Sequence, residues 1–187
     1  MSSKIYAYHL FESAGGFCGI AWSECAIRLF QLPSEAMHAA ERNLLRRLPG
    51  AELAAPPSFV LGAVSFVRRY FDGEKIDFAG IELDLGEQSV FSKRCYAAAR
   101  QVCWGQTTTY GALAKELGGG PDAAREVGQA MANNPIPLII PCHRVLAAGG
   151  KLGGFSAPGG SAAKLRMLEL EGFRAPAPAP EQQSMRF

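Results

Sequence analysis

No stretch of this sequence approaches the roughly 20 consecutive apolar residues that a membrane-spanning helix needs, and no segment repeats at a fixed period. The opening Met1-Ser2-Ser3-Lys4-Ile5 lacks the basic-then-apolar layout of a secretory signal, so the expected location is the cytoplasm, beside the nucleoid if the source is bacterial. Charge is sparse at 19%, and the formal net charge is only +2. Five cysteines, an odd number without a regular framework, fit reduced thiols better than disulfides. Histidine is scarcer still, with three in 187 residues. One of the three directly follows a cysteine.

The chain does contain enough apolar residues, 48%, to bury a real core. Its charge is also unevenly divided. Residues 1–90 carry 8 Lys and Arg against 11 Asp and Glu, whereas residues 91–174 carry 10 against 5. A basic second half points to a polyanionic partner, although five net charges also suit a solvated face.

The first half reads as strands followed by helices. Segments 4–11, 16–22 and 26–32 are β-type runs separated by turn residues and suit an antiparallel meander. Pro33-Ser34 opens a helix, with Ser34 as its cap and Met37, Ala40, Leu44, Leu45 and Leu48 at helical spacing until Pro49-Gly50. Residues 51–57 read as a loop, 58–71 as a second helix and 80–85 as a returning strand. No catalytic constellation is visible there, so the expected role is structural or positioning.

From Ser89 onward the pattern is helical. Helices are expected over 92–102, 110–117 and 122–132, the last capped by Asp122, with Gly118-Gly119-Gly120-Pro121 as the turn between the second and third. Two short helices on a glycine turn form a helix-turn-helix. Ala123, Ala124, Gly128, Ala130 and Ala132 let the second of them approach a partner surface or pack tightly on a neighbour, and Arg125 and Gln129 share one face. Gly149 to Gly160 reads as a loop that either closes on a ligand or turns a corner, 161–170 as a final helix, and the Ala/Pro-rich 175–187 as a disordered tail.

The chemistry concentrates in Ile139-Ile140-Pro141-Cys142-His143-Arg144-Val145. A thiol at its ordinary pKa of about 8.5 is mostly protonated at neutral pH, and only the thiolate is a strong nucleophile. An adjacent imidazole removes that limit. The same pair also fits a small buried Cys beside an unrelated His.

Trp104-Gly105, Thr109-Tyr110-Gly111, Ala123-Ala124-Arg125, Val127-Gly128, Asn133-Asn134-Pro135, Pro137 and Pro141-Cys142-His143-Arg144-Val145 together resemble the O6-alkylguanine-DNA alkyltransferases, the methylated-DNA-protein-cysteine methyltransferases. The resemblance covers roughly residues 89–172. It implies an α+β protein: residues 1–88 as a ribonuclease-H-like antiparallel sheet with helices, and 89–174 as a mostly helical, winged helix-turn-helix-like domain holding the active-site Cys. The implied partner is double-stranded DNA containing O6-alkylguanine or O4-alkylthymine, met in the minor groove by a monomer. The damaged base is flipped out of the stack, and the alkyl group moves irreversibly to Cys142.

By the same resemblance, Cys142 is activated through a bridging water by His143, which is oriented by Glu171. Tyr110 donates to the departing guanine, and Asn134 is the hinge that holds the helix-turn-helix against the active-site segment. Arg125 fills the vacated stack, with Ala124 and Gln129 beside it on the DNA face. The Val145 carbonyl meets the base amino group, Pro137 packs on the ring, and Phe155 and Ser156 cover the base near O6. The family often has Tyr-Ser-Gly in that cover, where this chain has Phe155-Ser156-Ala157, so a hydroxyl is missing and Ala157 is expected to narrow tolerance for bulky groups. Some relatives bind zinc in the first domain. His9, Cys18, Cys25 and His38 supply the atom types, but their spacing matches no compact zinc motif, and no cofactor is expected. Three other readings are weaker. A lesion-binding alkyltransferase-like protein carries Trp at the position of Cys142, a thiol-sensing regulator usually brings an effector module, and a cysteine hydrolase needs an oxyanion motif.

Overall fold

The computed structural model describes residues 5–120 and 122–174. Lys4, Pro121 and the proline-rich tail fall outside the described residues. Strands β1 (Ala7–Ser13), β2 (Gly16–Trp22) and β3 (Ile27–Ser34) form the expected antiparallel meander. Alternation sends Phe11, Cys18, Ile20, Trp22 and Phe30 to one face and Tyr8, Ala21 and Leu29 to the other. Helix α1 (Met37–Arg47) covers the second face with Leu44, and α2 (Ser58–Phe71) covers the first with Val60, Val64 and Val67. Gly19 permits the α1 contact, because a Cβ there would lie 2.7 Å from Leu44 Cδ1.

Several local expectations are corrected. The sheet is mixed rather than purely antiparallel. Segment 51–57 contains β4 (Glu52–Leu53), which pairs parallel with β1 after the α1 crossover, giving the order β3-β2-β1-β4. Ser34 does not cap α1. It ends β3, an edge strand that tolerates Pro33, and Ala36 occupies the N-cap without a side-chain bond. Residues 80–85 form only an isolated bridge between Ile27 and Leu83. Arg100 draws the carbonyls of Phe78, Ala79 and Ile81 to Nη2 at 3.0, 2.8 and 3.1 Å, which folds the segment into a turn instead of a ladder.

The second half follows its helical pattern with shifted ends. Helix α3 (Val90–Ala99) starts earlier than expected because Ser89 Oγ accepts from Ser92 N, and it ends in i→i+3 turns before Val102. Two residues, Thr108–Thr109 (β5), pair parallel with Val145–Leu146 (β6), and Thr109 then caps α4 (Tyr110–Glu116). This pairing ties the start of α4 to the end of the Cys-His-Arg segment. Helix α5 (Ala123–Ala132) has Asp122 at its N-cap, but no cap bond is made by the Asp122 side chain. Val127, Ala130 and Met131 face inward, and Arg125 and Gln129 face solvent. Helix α6 (Gly160–Leu170) closes the chain.

The main apolar core runs without a break from Phe11 and Phe30 through Tyr70 and Tyr96 to Val145 and Met167, so the two halves share it. Among the described residues no helix is long and apolar enough to cross a membrane. Arg100→Met is expected to lower stability by about 1–3 kcal/mol, the cost of leaving several carbonyls without their charged donor. Urea unfolding measures this, and an unchanged midpoint would show that the 78–81 turn is held by other contacts.

Candidate active site

The segment after α5 is bent into position by its own side chains. Asn134 Oδ1 accepts from Ile136 N at 2.9 Å, and its Nδ2 donates to Ile140 O at 2.9 Å, so one buried amide spans the whole loop. Ile140 N also returns to Ile136 O at 2.9 Å. Leu138, buried at the bend, has φ 74°, a left-handed conformation that costs a branched side chain about 1–3 kcal/mol and persists only where packing enforces it. Pro141 (φ -79°, ψ 63°), with Cys142 N bonded to Ile140 O at 2.8 Å, makes an inverse γ-turn. A single 3-10 turn, Cys142–Arg144, follows.

Cys142 is 5% exposed and lines a cavity of about 230 Å³ with Asn134, Pro137, Phe155 and Ser156. Burial pushes its thiol pKa up, opposed by a hydrogen bond from Asn134 and the charges of Lys164 and Arg47. His143 is fully buried, and its Nε2 lies 2.7 Å from Glu171 Oε1. Burial lowers the imidazole pKa despite that carboxylate, so the ring is neutral at pH 7. A carboxylate only accepts, hence Nε2 carries the proton. Nδ1 is then a buried acceptor, with no hydrogen-bond partner among the described residues.

Glu171, at the C-cap of α6, accepts five bonds: from His143, from Arg144 Nε at 2.8 Å and Nη2 at 3.0 Å, from Tyr70 Oη at 2.9 Å and from Gly105 N at 3.4 Å. Arg144 also donates from Nη1 to Val102 O at 2.6 Å. Burial alone would raise the carboxyl pKa, but the hydrogen bonds from His143 and Arg144 bring it down to about 2. Burial and the same carboxylate keep Tyr70 protonated.

Lys164 escapes sequence reasoning, yet it is fully buried. Its Nζ donates to Val145 O at 2.7 Å and lies 5.7 Å from the Tyr110 ring centre and 6.0 Å from that of Phe155. Burial draws its pKa down to about 8. A signal was present: Lys164, Met167, Leu168 and Glu171 are spaced i, i+3, i+4, i+7, and all four are buried. Arg144, Tyr70 and Arg47 were also missed as site residues. The last two come from the first half of the chain and carry no local motif.

The expected residues thus fall into three groups. Asn134, Pro137, Cys142, Phe155 and Ser156 share the cavity wall, and Ser156 Oγ donates to Ala132 O at 2.7 Å. His143 and Glu171 lie behind Cys142, while Tyr110 is half-buried beside Lys164, and the Val145 carbonyl already accepts from that lysine. Arg125 and Gln129 are on the open face of α5, with Ala124 partly covered beside them. His9, Cys18, Cys25 and His38 do not converge. Among the described residues no three His, Cys, Asp or Glu side chains are grouped to hold a metal.

A folded-state carboxyl at about 2 against an ordinary 4.5 contributes about 3 kcal/mol at neutral pH. The pKa is depressed in the fold, so this stability is complete above pH 4.5 and fades as pH falls toward 2. In Glu171→Gln the acid-linked loss between about pH 5 and 3 is expected to shrink markedly, read from urea unfolding across that range. A slope equal to that of the unsubstituted protein would remove Glu171 as the cause.

Comparison with known proteins shows what the chain as a whole is similar to. Residues 90–173 match the family described as "6-O-methylguanine DNA methyltransferase, DNA binding domain". The methylated-DNA–protein-cysteine methyltransferase of Mycobacterium tuberculosis is 45% identical over 121 residues, 65% of this chain and 70% of that protein. The crystal structure of Mycobacterium tuberculosis OGT in complex with DNA superposes with a TM-score of 0.72 at 33% identity, covering 91% of this chain and 96% of that one. A DNA base-flipping protein of Thermus thermophilus is 43% identical over 106 residues, 57% of this chain and 69% of that protein.

Proposed function

This chain belongs to the methylated-DNA–protein-cysteine methyltransferase family, and on that premise we propose that Cys142 is the cysteine that accepts the alkyl group. The protein is a DNA repair methyltransferase that takes the methyl group of O6-methylguanine onto itself. One observation carries the assignment to Cys142: a buried thiol opens on a cavity while the next residue, a neutral His, keeps a buried acceptor nitrogen.

In the proposed reaction the Cys142 proton passes through a bridging water to His143 Nδ1, and the imidazolium so formed is held by the Glu171 carboxylate. The thiolate attacks the alkyl carbon in line with the C–O6 bond. A thioether forms, the C–O6 pair leaves on guanine, and Tyr110 supplies a proton or hydrogen bond to the base. Lys164, close to the Tyr110 ring, favours the negative charge that develops there. Asn134 holds the acceptor loop to α5, while Pro137, Phe155 and Ser156 enclose the base and Val145 offers its carbonyl. No group in the site removes an alkyl from sulfur, so each molecule repairs one lesion.

The lesion reaches the cavity by leaving the duplex stack, at a cost of a few kcal/mol. The exposed face of α5 suits this step: Arg125 enters the gap through the minor groove, with Ala124 and Gln129 against the strand. On this reading the protein acts as a monomer on double-stranded DNA, with O4-alkylthymine as a second lesion.

Incubation with a duplex containing O6-methylguanine, followed by peptide mass spectrometry, tests the assignment. One methyl on the Cys142 peptide is expected, and none in Cys142→Ala. Arg125→Ala is expected to slow transfer from duplex at least about tenfold while leaving transfer from the free base little changed, as loss of flipping assistance requires. Tight lesion binding by an unmodified protein would instead place the chain with base-flipping proteins that transfer nothing.

A further inference from the structure

The wall of the cavity opposite Phe155 and Ser156 comes from the first half of the chain. Gln31, Leu32, Asn43, Arg46 and Arg47 form it, and among the described residues no Asp or Glu lines the cavity. Arg47, the last residue of α1, reaches across and donates from Nη2 to Asn134 O at 2.7 Å and from Nη1 to Phe30 O at 3.5 Å. The next carbonyl, Pro135 O, accepts from Phe30 N at 3.1 Å. Two consecutive carbonyls of the acceptor loop are therefore gripped by β3 and α1. The side chain of the first, Asn134, is the amide that spans the loop and hydrogen-bonds the Cys142 thiol.

Arg47 is exposed overall, but its two carbonyl bonds hold the guanidinium at the cavity wall, where its charge acts on the Cys142 thiol. The other ionisable groups facing Cys142 are Lys164 from α6, Tyr96 from α3, Tyr110 from α4 and His143 on its own turn. Both phenols are pushed upward and stay neutral, and His143 is neutral. Among the described residues, Arg47 and Lys164 are thus the cations that a Cys142 thiolate meets.

We propose that Arg47 is a positioning residue of the acceptor site, through which the N-terminal sheet and α1 fix Asn134 and hold a permanent positive charge beside Cys142. The inference rests on the assignment of Cys142 as the acceptor. It gives the first half of the chain a part in transfer chemistry beyond support of the fold. Lys164 loses its charge above about pH 8, whereas a guanidinium does not titrate in that range.

The test uses the full chain with Arg47→Gln, Arg47→Met and Arg47→Lys. Alkylation of Cys142 by iodoacetamide is followed against pH by peptide mass spectrometry, which separates it from the exposed Cys25 and Cys103. Thermal unfolding confirms that each variant is folded, and methyl transfer from O6-methylguanine duplex is measured alongside. Loss of the cation disfavours the thiolate, so the Gln and Met variants should move the reactivity midpoint up by about half a pH unit and lower both rates about threefold at neutral pH. Arg47→Lys should restore most of the midpoint. An unchanged midpoint in a folded neutral variant, an even loss at every pH without rescue by Lys, or unfolding of both neutral variants would overturn the proposal. Absence of methyl from Cys142 in the unsubstituted protein would instead refute the acceptor assignment, which the iodoacetamide midpoint does not depend on.

Discussion

The Glu171 carboxylate is the constraint on which the rest of the site depends. An ionised carboxylate that is 4% exposed costs several kcal/mol unless every lone pair is used. Here the five donors come from three separate parts of the chain, His143 and Arg144 of the Cys-His-Arg turn, Tyr70 of α2 and Gly105 of the turn after α3, and all converge on α6, which carries Glu171. Arg144 neutralises the charge with two nearly parallel N–H bonds, which leaves His143 free to remain neutral. The fold and the tautomer of the proposed base are settled by the same interaction.

That arrangement explains why the two halves share a core. Tyr70 presents its hydroxyl to Glu171 and its ring edge-on to Trp104, at 5.3 Å between centres. Arg47 and Phe30 hold the acceptor loop from the other side. The thiol is therefore set between two supports from the N-terminal half, while one face of α5, with Arg125 and Gln129, stays exposed. A buried, closely bounded thiol suits a group that reacts once, since nothing has to leave the sulfur and no second substrate has to reach it.

The proposed acceptor pair could be named from the sequence because Cys142 and His143 are adjacent and the turn chemistry of Asn134, Pro135 and Pro137 is local. The meander and the helical second half were legible from periodicity. Glu171 was reached only through the family resemblance, since an acid at a helix end carries no local mark of burial. Lys164 was marked by its place on an apolar helical stripe, although lysine there usually reads as solvent-facing. Tyr70 and Arg47 had no readable signal, because their contacts with Glu171 and Asn134 exist only once α2 and α1 are folded against residues more than 80 positions away. The short β4 and the uncapped start of α1 were missed for a related reason: tertiary pairing and edge-strand geometry overrode local turn signals.

The central claim is that burial keeps His143 neutral while the Glu171 carboxylate holds its proton on Nε2, with Nδ1 as the acceptor for the Cys142 proton. Nitrogen-15 NMR of the imidazole ring in the resting protein at pH 7 tests it most directly, with His143 assigned against His9 and His38 by substitution of each. The account predicts one protonated nitrogen, Nε2, and a pyridine-like shift for Nδ1. Two protonated nitrogens, or a proton on Nδ1 alone, would contradict it.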